Sequence, residues 1–388
     1  MALLRRAVDA VVEELNRTEF DAIREEWNEL ASTLFVRHEF LTAYLDSFEP
    51  GARLVVLTVR LNGQLVAGLP LVEERTHLLG VPLATLRAPA NVHSNRFDLV
   101  CEPGSREKAV EALWTYLRER GGFDLLLLRD IPPEGHARML LERAASDGCG
   151  VAMRESWSTP HIPLGGGFEG VKADLTARFR ANLRRRQRKL GARGQVQFEC
   201  APVAAAADLS RALAEGFALE ASGWKGRSGT AILRDPPAHR FYLRLASAFA
   251  PTGELRLFFL RLDGRPVAFF YCLESARTLY LPKLAYDEAL ADCSPGHLLT
   301  GEVVRDACTR GLADFDFLGP SMDWKLDWAS HLRVHHTLWM FRRGSMGRTL
   351  SDLRFKLLPR LRSALLSRPA SEPRGGAGAG EGQEGSDA

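Results

Sequence analysis

The spacing of apolar and polar residues predicts alternating helices and strands along most of the chain. Apolar positions recur every three to four residues over residues 20–48, 105–120 and 237–249, as in amphipathic helices. Residues 123–131 contain four consecutive leucines at 125–128, and such an apolar run is typical of a strand covered on both faces. Residues 8–15 also show helical spacing, so we expect an amphipathic helix at the N-terminus. The pattern predicts a mixed α/β fold.

Two tight turns indicate that the chain is built from two similar halves. Asn62-Gly63 and Asp263-Gly264 each join two β-rich runs, and such dipeptides are strong signals for two-residue hairpins. Each half shows helices, a hairpin, a further strand, a helix and an apolar strand. The Pro- and Gly-rich residues 158–170 are typical of a linker. We therefore predict an N-terminal domain at 1–160, a linker with a basic helix at 161–194, a C-terminal catalytic domain at 195–368, and a disordered tail at 369–388.

Composition narrows the functional classes. The formal net charge is only +3, so attraction to nucleic acid or membrane has to come from a local patch. The six cysteines form no CxxC pair and no zinc-spaced cluster, so we expect reduced thiols and no metal site. The N-terminus is too acidic for a secretory signal, and no apolar run approaches the ~20 residues that cross a bilayer. We expect a cytoplasmic protein.

A basic segment follows the predicted linker. Its apolar residues Phe179, Leu183 and Leu190 fall at helical spacing, so the rest of the helix is cationic. The basic residues are Arg178, Arg180, Arg184, Arg185, Arg186, Arg188 and Lys189. Three interpretations stay open: binding of tRNA, attachment to an anionic surface at the inner face of the membrane, and a solvated inter-domain helix. Few aromatic residues interleave with the arginines, which weakens the case for base stacking.

One junction between a strand and a helix has the composition of an anion site. Ser294 is expected to cap the helix, Pro295 suits its first turn, and Gly296 permits close approach of a ligand. Unpaired amides and the helix dipole at such a junction favour a negatively charged group, so a pyrophosphate would fit in front of Ser294–His297. The alternative is a well-capped helix without a ligand.

Several motifs in residues 253–329 resemble the GNAT-type acetyltransferases of the BioF2-like, CelD/BcsL group, which are relatives of the FemAB-type aminoacyl transferases. The matching motifs are the Asp263-Gly264 hairpin, Tyr286-Asp287, Ser294-Pro295-Gly296, Leu298-Leu299, Gly311, Asp316–Gly319, Lys325 and Trp328, with Glu220 and Trp224–Gly226 upstream. The resemblance extends over roughly residues 20–345. It implies tandem GNAT-like domains and transfer of an acyl group, acetyl above all, to an amine or hydroxyl, with roles in polysaccharide or cell-envelope metabolism.

The resemblance also implies the donor, either acetyl-CoA or another acyl-CoA, or aminoacyl-tRNA as in the FemAB-like relatives. The usual GNAT pyrophosphate loop, Q/R-x-x-G-x-G/A, is absent, and only Ser294–His297 occupies the corresponding junction. The donor therefore stays open. The residues expected to bind it are Ser294, Gly296, His297 and Leu298. A non-catalytic module that binds a nucleotide or polymer is the further alternative.

Acyl transfer from a thioester requires a positioned nucleophile, a proton acceptor and a stabilised oxyanion. Asp287, which follows a strand, and Asp316, which lies between two phenylalanines, are the candidate bases. The alternatives are a turn residue for Asp287 and a solvated strand face for Asp316. The expected substrate-binding residues are Glu220, Trp224, Lys225 and Lys325, because a lysine beside an aromatic residue can bind phosphate or carboxylate.

Overall fold

The computed structural model describes residues 5–7, 10–329 and 331–358, with the backbone alone for 5–7, 224, 225, 345 and 346. The strands are β1 Arg5–Ala7, β2 Ala10–Leu15, β3 Arg53–Leu61, β4 Gln64–Leu78, β5 Val81–Arg87, β6 Val100–Cys101, β7 Leu125–Ile131, β8 Gly150–Pro163, β9 Val196–Cys200, β10 Leu255–Leu262, β11 Arg265–Ser275, β12 Thr278–Tyr286, β13 Asp314–Asp316 and β14 His331–Phe341. The helices are α1 Arg17–Ala22, α2 Arg24–Leu30, α3 His38–Phe48, α4 Arg106–Arg120, α5 Arg138–Ser146, α6 Gly167–Asp174, α7 Ala177–Gly191, α8 Ala206–Ser222, α9 Trp224–Arg227, α10 Pro236–Phe249, α11 Pro295–Thr309, α12 Asp323–Leu326 and α13 Ser345–Asp352. The predicted disordered tail, residues 369–388, lies outside the described residues.

The two halves of the chain repeat one arrangement of strands. In the first half β2, β3, β4 and β5 pair in antiparallel fashion, and β7 then pairs in parallel with β5. In the second half β9, β10, β11 and β12 form the same meander, and β13 pairs in parallel with β12. Helices α4 and α11 provide the crossovers that a parallel pair requires. The predicted mixed α/β fold with two similar halves is confirmed.

The halves share one continuous sheet because they exchange their last strands. The strand order is β1-β2-β3-β4-β5-β7-β14-β8-β13-β12-β11-β10-β9, with β6 on β4. Strand β14, from the second half, lies between β7 and β8, and β8, from the first half, also pairs with β13. Residues 158–163 thus belong to a central strand, so their interpretation as a linker is wrong. The division into domains at residue 160 stays a prediction.

The N-terminal helix is a second wrong prediction. Residues 10–15 form β2, which pairs with β3 along its whole length. Ala10 and Val12 are buried and Val11 is only partly so, which is the two-residue period of a strand. The short run Val11-Val12 is β-branched, and pairing to β3 outweighs the helical spacing of the apolar residues.

The second half has a separate core on each face of its sheet. On one face Phe259, Tyr271 and Tyr280 pack with residues of α3, α8 and α10. On the other face Phe258 and Phe270 pack with residues of α6, α7 and α11. Successive side chains of a strand point to opposite faces, so each strand contributes to both cores. No helix in the described ranges is long and apolar enough to cross a membrane.

Candidate functional site

The sheet opens where β12 and β13 separate. Their parallel pairing ends at Tyr280 and Asp316, while β12 continues to Tyr286. The pairing of β12 with β11 also shifts its register, because Leu273 faces Tyr280 but Tyr271 faces Lys283. This irregularity bends the strand at the point where β13 ends. The result is a split between two parallel strands next to the N-terminus of α11.

A cavity of about 220 Å³ lies in front of α11. Its lining residues are Phe270, Leu284, Tyr286, Ala291, Ser294, Gly296, His297 and Trp324. The side chains from β11 and β12 make its wall largely apolar, and the first turn of α11 provides a polar end. A helix N-terminus at the end of an apolar cavity suits a ligand with an anionic group and an apolar arm.

The helix begins differently from the sequence prediction. Ser294 does not cap α11: it adopts a left-handed backbone with φ 48°, and its hydroxyl donates to the carbonyl of Ala291 at 3.2 Å. The amides of His297 and Leu298 donate to the carbonyl of Ser294 at 3.1 and 3.3 Å. Pro295 has no amide hydrogen. Among the described residues, the Gly296 amide is the first-turn donor without a protein acceptor.

His297 lies at the polar end of this cavity. Its Nδ1 accepts a hydrogen bond from the indole Nε1 of Trp328 at 3.0 Å, and its Nε2 lies 3.8 Å from the carboxylate of Asp327. An indole N–H only donates, so the proton of neutral His297 lies on Nε2. Burial, with the charge of Arg186, lowers the pKa of His297, and Asp327 opposes this. A neutral imidazole with an Nε2–H donor is therefore available at neutral pH.

The two predicted bases lie far apart. Asp287 follows the end of β12, whereas Asp316 pairs with Tyr280 near its beginning, about 20 Å away at the rise of a strand. The Asp287 carboxylate accepts from the amide of Ala289 at 3.0 Å and pairs with Arg265 at 2.9 Å. These are the contacts of a turn residue.

Asp316 is fully buried, so the expected alternative of a solvated strand face is wrong. Its carboxylate accepts from the amide of Leu318 at 2.9 Å and from Arg333 at 2.7 Å, and Arg96 lies 3.6 Å away. Burial raises the pKa of Asp316, and the two arginines oppose that rise. The carboxylate therefore joins three distant segments of the chain.

Lys325 is almost fully buried beside Asp316. Its Nζ donates to the carbonyls of Leu318 at 2.6 Å and Pro320 at 2.9 Å. Leu318 and Gly319 both have left-handed backbones, with φ of 51° and 61°. Burial lowers the pKa of Lys325 to about 8, against the attraction of Asp316. Lys325 thus holds the turn that follows β13.

The remaining predicted residues are spread around the split. Glu220, near the end of α8, is buried and accepts from the amide of Ile232 at 2.9 Å. It also lines a small pocket with residues 284–286 of β12. Leu298 lines a second cavity, on the other side of His297. The side chains of Trp224 and Lys225 lie outside the described part of the chain.

Sequence reasoning missed two polar residues on the opposite face of β12. Lys283 lies 5.2 Å from the ring centroid of Tyr242, and the hydroxyl of Tyr242 lies 3.2 Å from Nδ1 of His93. His93 stacks on Phe48, and burial with the charge of Lys283 lowers its pKa to about 4. The position of Lys283 in an otherwise apolar strand was the available signal. His93 gave none, because its loop is distant in sequence.

These features define an α/β protein with a candidate anion-binding cavity at a split between parallel strands. Residues 177–326, which include α7 to α12, match the profile described as acetyltransferase (GNAT) domain. This part of the chain is therefore similar to GNAT acetyltransferase domains. The comparison with curated proteins found no relative.

Two solved structures share the fold over most of the chain. The C-terminal domain of a candidate lysylphosphatidylglycerol synthetase from Agrobacterium fabrum is 13% identical, with a TM-score of 0.51 over 92% of this chain and 100% of that one. FemX is 12% identical, with a TM-score of 0.56 over 88% of this chain and 99% of that one. A tandem GNAT protein from the clavulanic acid biosynthesis pathway also matches, with 12% identity, a TM-score of 0.45, and coverage of 85% and 98%.

Proposed function

We propose that the chain is an acyltransferase that moves an acyl group from a CoA thioester to an amine or hydroxyl. The observation that carries this proposal is the cavity in front of Gly296, at the point where β12 and β13 separate. The sequence motifs that resemble the BioF2-like, CelD/BcsL group support a role in polysaccharide or cell-envelope metabolism as part of the same proposal.

The donor would lie with its pyrophosphate at the first turn of α11. There the Gly296 amide and the helix dipole attract an anion, and the Nε2–H of His297 is a second donor. The pantetheine arm would follow the apolar wall formed by Phe270, Leu284 and Tyr286. This arrangement brings the thioester to the split in the sheet, where an acceptor can approach it from the other face.

The acceptor would approach between the two halves of the chain. Lys283 and His93 lie on the face of β12 opposite α11, and Lys325 holds the turn at the end of β13. As part of the same proposal, Trp224 and Lys225 also bind the acceptor. A cationic and aromatic environment favours an acceptor that carries phosphate or carboxylate.

Asp287 and Asp316 stay the candidate residues for proton removal. The contacts of Asp316 with Arg333 and Arg96 favour a positioning role, and those of Asp287 with Arg265 favour a turn. Steady-state rates of Asp287→Asn and Asp316→Asn, measured on variants shown to be folded, test the assignment. A loss of kcat without a change in KM supports a role in proton transfer, and unchanged rates for both remove it.

A second candidate donor is aminoacyl-tRNA. It is favoured by the arginines of α7 that have no carboxylate within 4 Å in the described part of the chain, including Arg178, Arg185 and Arg188. A polyanion would neutralise such a row. Loss of transfer after ribonuclease treatment would support this donor, whereas binding to immobilised CoA would support the thioester.

Calorimetric titration with CoA and acetyl-CoA, followed by an assay for released thiol, tests the main proposal. We expect binding of both ligands and release of free thiol when an acceptor amine is added. Binding without release under any acceptor condition would favour the alternative of a non-catalytic nucleotide- or polymer-binding module. Absence of binding would contradict the assignment of the cavity.

A further inference from the structure

A second cavity, of about 290 Å³, lies beneath the basic helix α7. It is enclosed by α6, α7 and α11 over strands β9 and β10. Its apolar lining comprises Phe168, Leu175, Leu183, Val196, Leu260, Leu298 and Trp328, and its basic lining comprises Lys172, Arg180, Arg184 and Arg305. Gln187 and one carboxylate, Glu302, also line it. His297 lines this cavity as well as the donor cavity, so the two lie side by side.

The basic residues of this cavity are not equivalent. Arg180 donates to the carbonyl of Lys172 at 2.9 Å and thereby ties α7 to α6. Lys172 pairs with Glu169 at 2.8 Å, and Arg305 pairs with Glu302 at 2.6 Å. Arg184, in contrast, is exposed, and the described residues place no carboxylate within 4 Å of it. An uncompensated cation thus lies at the mouth of an apolar cavity.

The surface around this cavity also combines positive charge with exposed apolar side chains. Along α7, Arg185, Arg186 and Arg188 likewise have no carboxylate partner in the ranges that the structure describes. On the neighbouring segment, between Trp324 and Trp328, Leu326 is 46% exposed, and Met322 just before it is 51% exposed. Exposed apolar residues next to unpaired arginines are typical of a surface that lies on anionic lipid.

The lining chemistry identifies the kind of ligand. An engineered apolar cavity of about 150 Å³ holds one benzene molecule, so a cavity of this size accommodates several carbon atoms of a chain. A ligand with an apolar chain and an anionic group can place the chain against the apolar lining and the anionic group beside the arginine at the rim. RNA suits the site less well, because base stacking needs exposed aromatic rings, and Phe179 of α7 is buried against His297 and Trp328.

We propose that the cavity beneath α7 binds an anionic phospholipid, with an acyl chain on the apolar floor and the phosphate at Arg184. The helix α7 and the exposed residues Met322 and Leu326 then rest on the surface of an anionic membrane. This site is separate from the donor cavity in front of Gly296. It therefore holds whether or not CoA is the donor.

The test uses the full chain with two probes. The first is flotation with vesicles of phosphatidylcholine alone or mixed with phosphatidylglycerol. The second is calorimetric titration with a water-soluble, short-chain phosphatidylglycerol, with inorganic phosphate as competitor. We expect binding to the mixed vesicles only, and binding of the short-chain lipid that inorganic phosphate does not displace.

Three variants assign the interaction to the cavity. Arg184→Glu should weaken both kinds of binding by roughly tenfold or more, because it replaces attraction to phosphate by repulsion. Arg211→Glu is the matched control, since Arg211 is similarly exposed but lies on α8 and pairs with Asp208 at 2.6 Å. Leu183→Trp fills the cavity without changing the charge, and it should abolish binding of the short-chain lipid.

Circular dichroism and thermal unfolding establish that each variant is folded, and CoA titration reports the donor cavity separately. Equal binding to both kinds of vesicle would overturn the proposal. So would unchanged lipid binding by Leu183→Trp, because charge alone would then explain the attraction. Binding of tRNA that Arg184→Glu abolishes, without any vesicle binding, would assign α7 to RNA instead.

Discussion

Lys325 gives the stability of the fold an unusual dependence on pH. Its ammonium group is almost fully buried and hydrogen-bonded to two backbone carbonyls, and burial lowers its pKa from 10.5 to about 8. Above about pH 8 the folded chain has released this proton, while the unfolded chain keeps it until about pH 10.5. The unfolded state then binds more protons, so this residue makes the free energy of unfolding rise with pH.

The size of the effect follows from the two pKa values. Between about pH 7.5 and about pH 9.5 the contribution of Lys325 should rise by about 2 kcal/mol. The neutral amine keeps two N–H groups, so it still donates to the carbonyls of Leu318 and Pro320. Urea unfolding of the wild type and of Lys325→Met at both pH values isolates the contribution of Lys325 to the free energy of unfolding, because the two proteins have all other titrating groups in common.

The difference in unfolding free energy between wild type and Lys325→Met should therefore grow in favour of the wild type as the pH rises. Lys356→Met is the control, since the Lys356 side chain is 65% exposed and pairs with Asp352 on the surface. Its difference from the wild type should not change with pH. A difference for Lys325→Met that stays constant or shrinks would refute the assignment of a buried, easily deprotonated lysine.

Further substitutions test the buried charges and the packing. Asp316→Asn should lower the free energy of unfolding by about 2 kcal/mol in a urea titration, because it removes the buried anion that Arg333 and Arg96 share, while Arg333 keeps Asp314 and Arg96 keeps Glu134. Asp208→Asn on the surface should change it by less than about 1 kcal/mol. Equal losses of unfolding free energy in Asp316→Asn and Asp208→Asn would contradict the burial of Asp316. Gly68→Ala should destabilise by about 1–3 kcal/mol, because the new Cβ would lie 2.1 Å from the ring of Trp27, while Gly51→Ala meets no atom within 4 Å and should be neutral in thermal unfolding. An unchanged thermal stability of Gly68→Ala would show that the Trp27 ring can move away from the new methyl group.

The features that the sequence could predict are local ones. Both hairpins form at the expected dipeptides, where Asn62 and Asp263 have φ of 50° and the following glycines φ of 83° and 80°. These turns need positive φ at both central residues, which Asn-Gly and Asp-Gly tolerate best. The start of α11 at Pro295 could also be predicted from the local sequence. Proline has no amide hydrogen, so it leaves no donor unpaired in the first turn of a helix.

The features that the sequence could not predict depend on distant pairing. Residues 158–163 contain two prolines, and their composition predicts a linker, yet β13 and β14 pair with them and place them in the centre of the sheet. The surroundings of Asp316 are a second example, because Arg96 comes from the first half and Arg333 from the last strand. No local pattern marks such partners. Only the exchange of strands between the halves brings them together.

We propose that the acyl donor binds in the cavity in front of Gly296, and a substitution at this glycine tests that site. A Cβ at Gly296 would lie 3.7 Å from the ring of Tyr286, so a larger side chain there can be placed within the cavity without a backbone clash. Gly104 follows a proline in the short turn just before α4 in the first half and faces open space, so Gly104→Leu is the matched control.

The most direct measurement is calorimetric titration of acetyl-CoA into the wild type, Gly296→Leu and Gly104→Leu, each shown to be folded by circular dichroism. We expect Gly296→Leu to weaken acetyl-CoA binding at least tenfold, while Gly104→Leu binds acetyl-CoA like the wild type. Wild-type affinity in Gly296→Leu would contradict binding of the donor in this cavity, because the donor would then lie elsewhere.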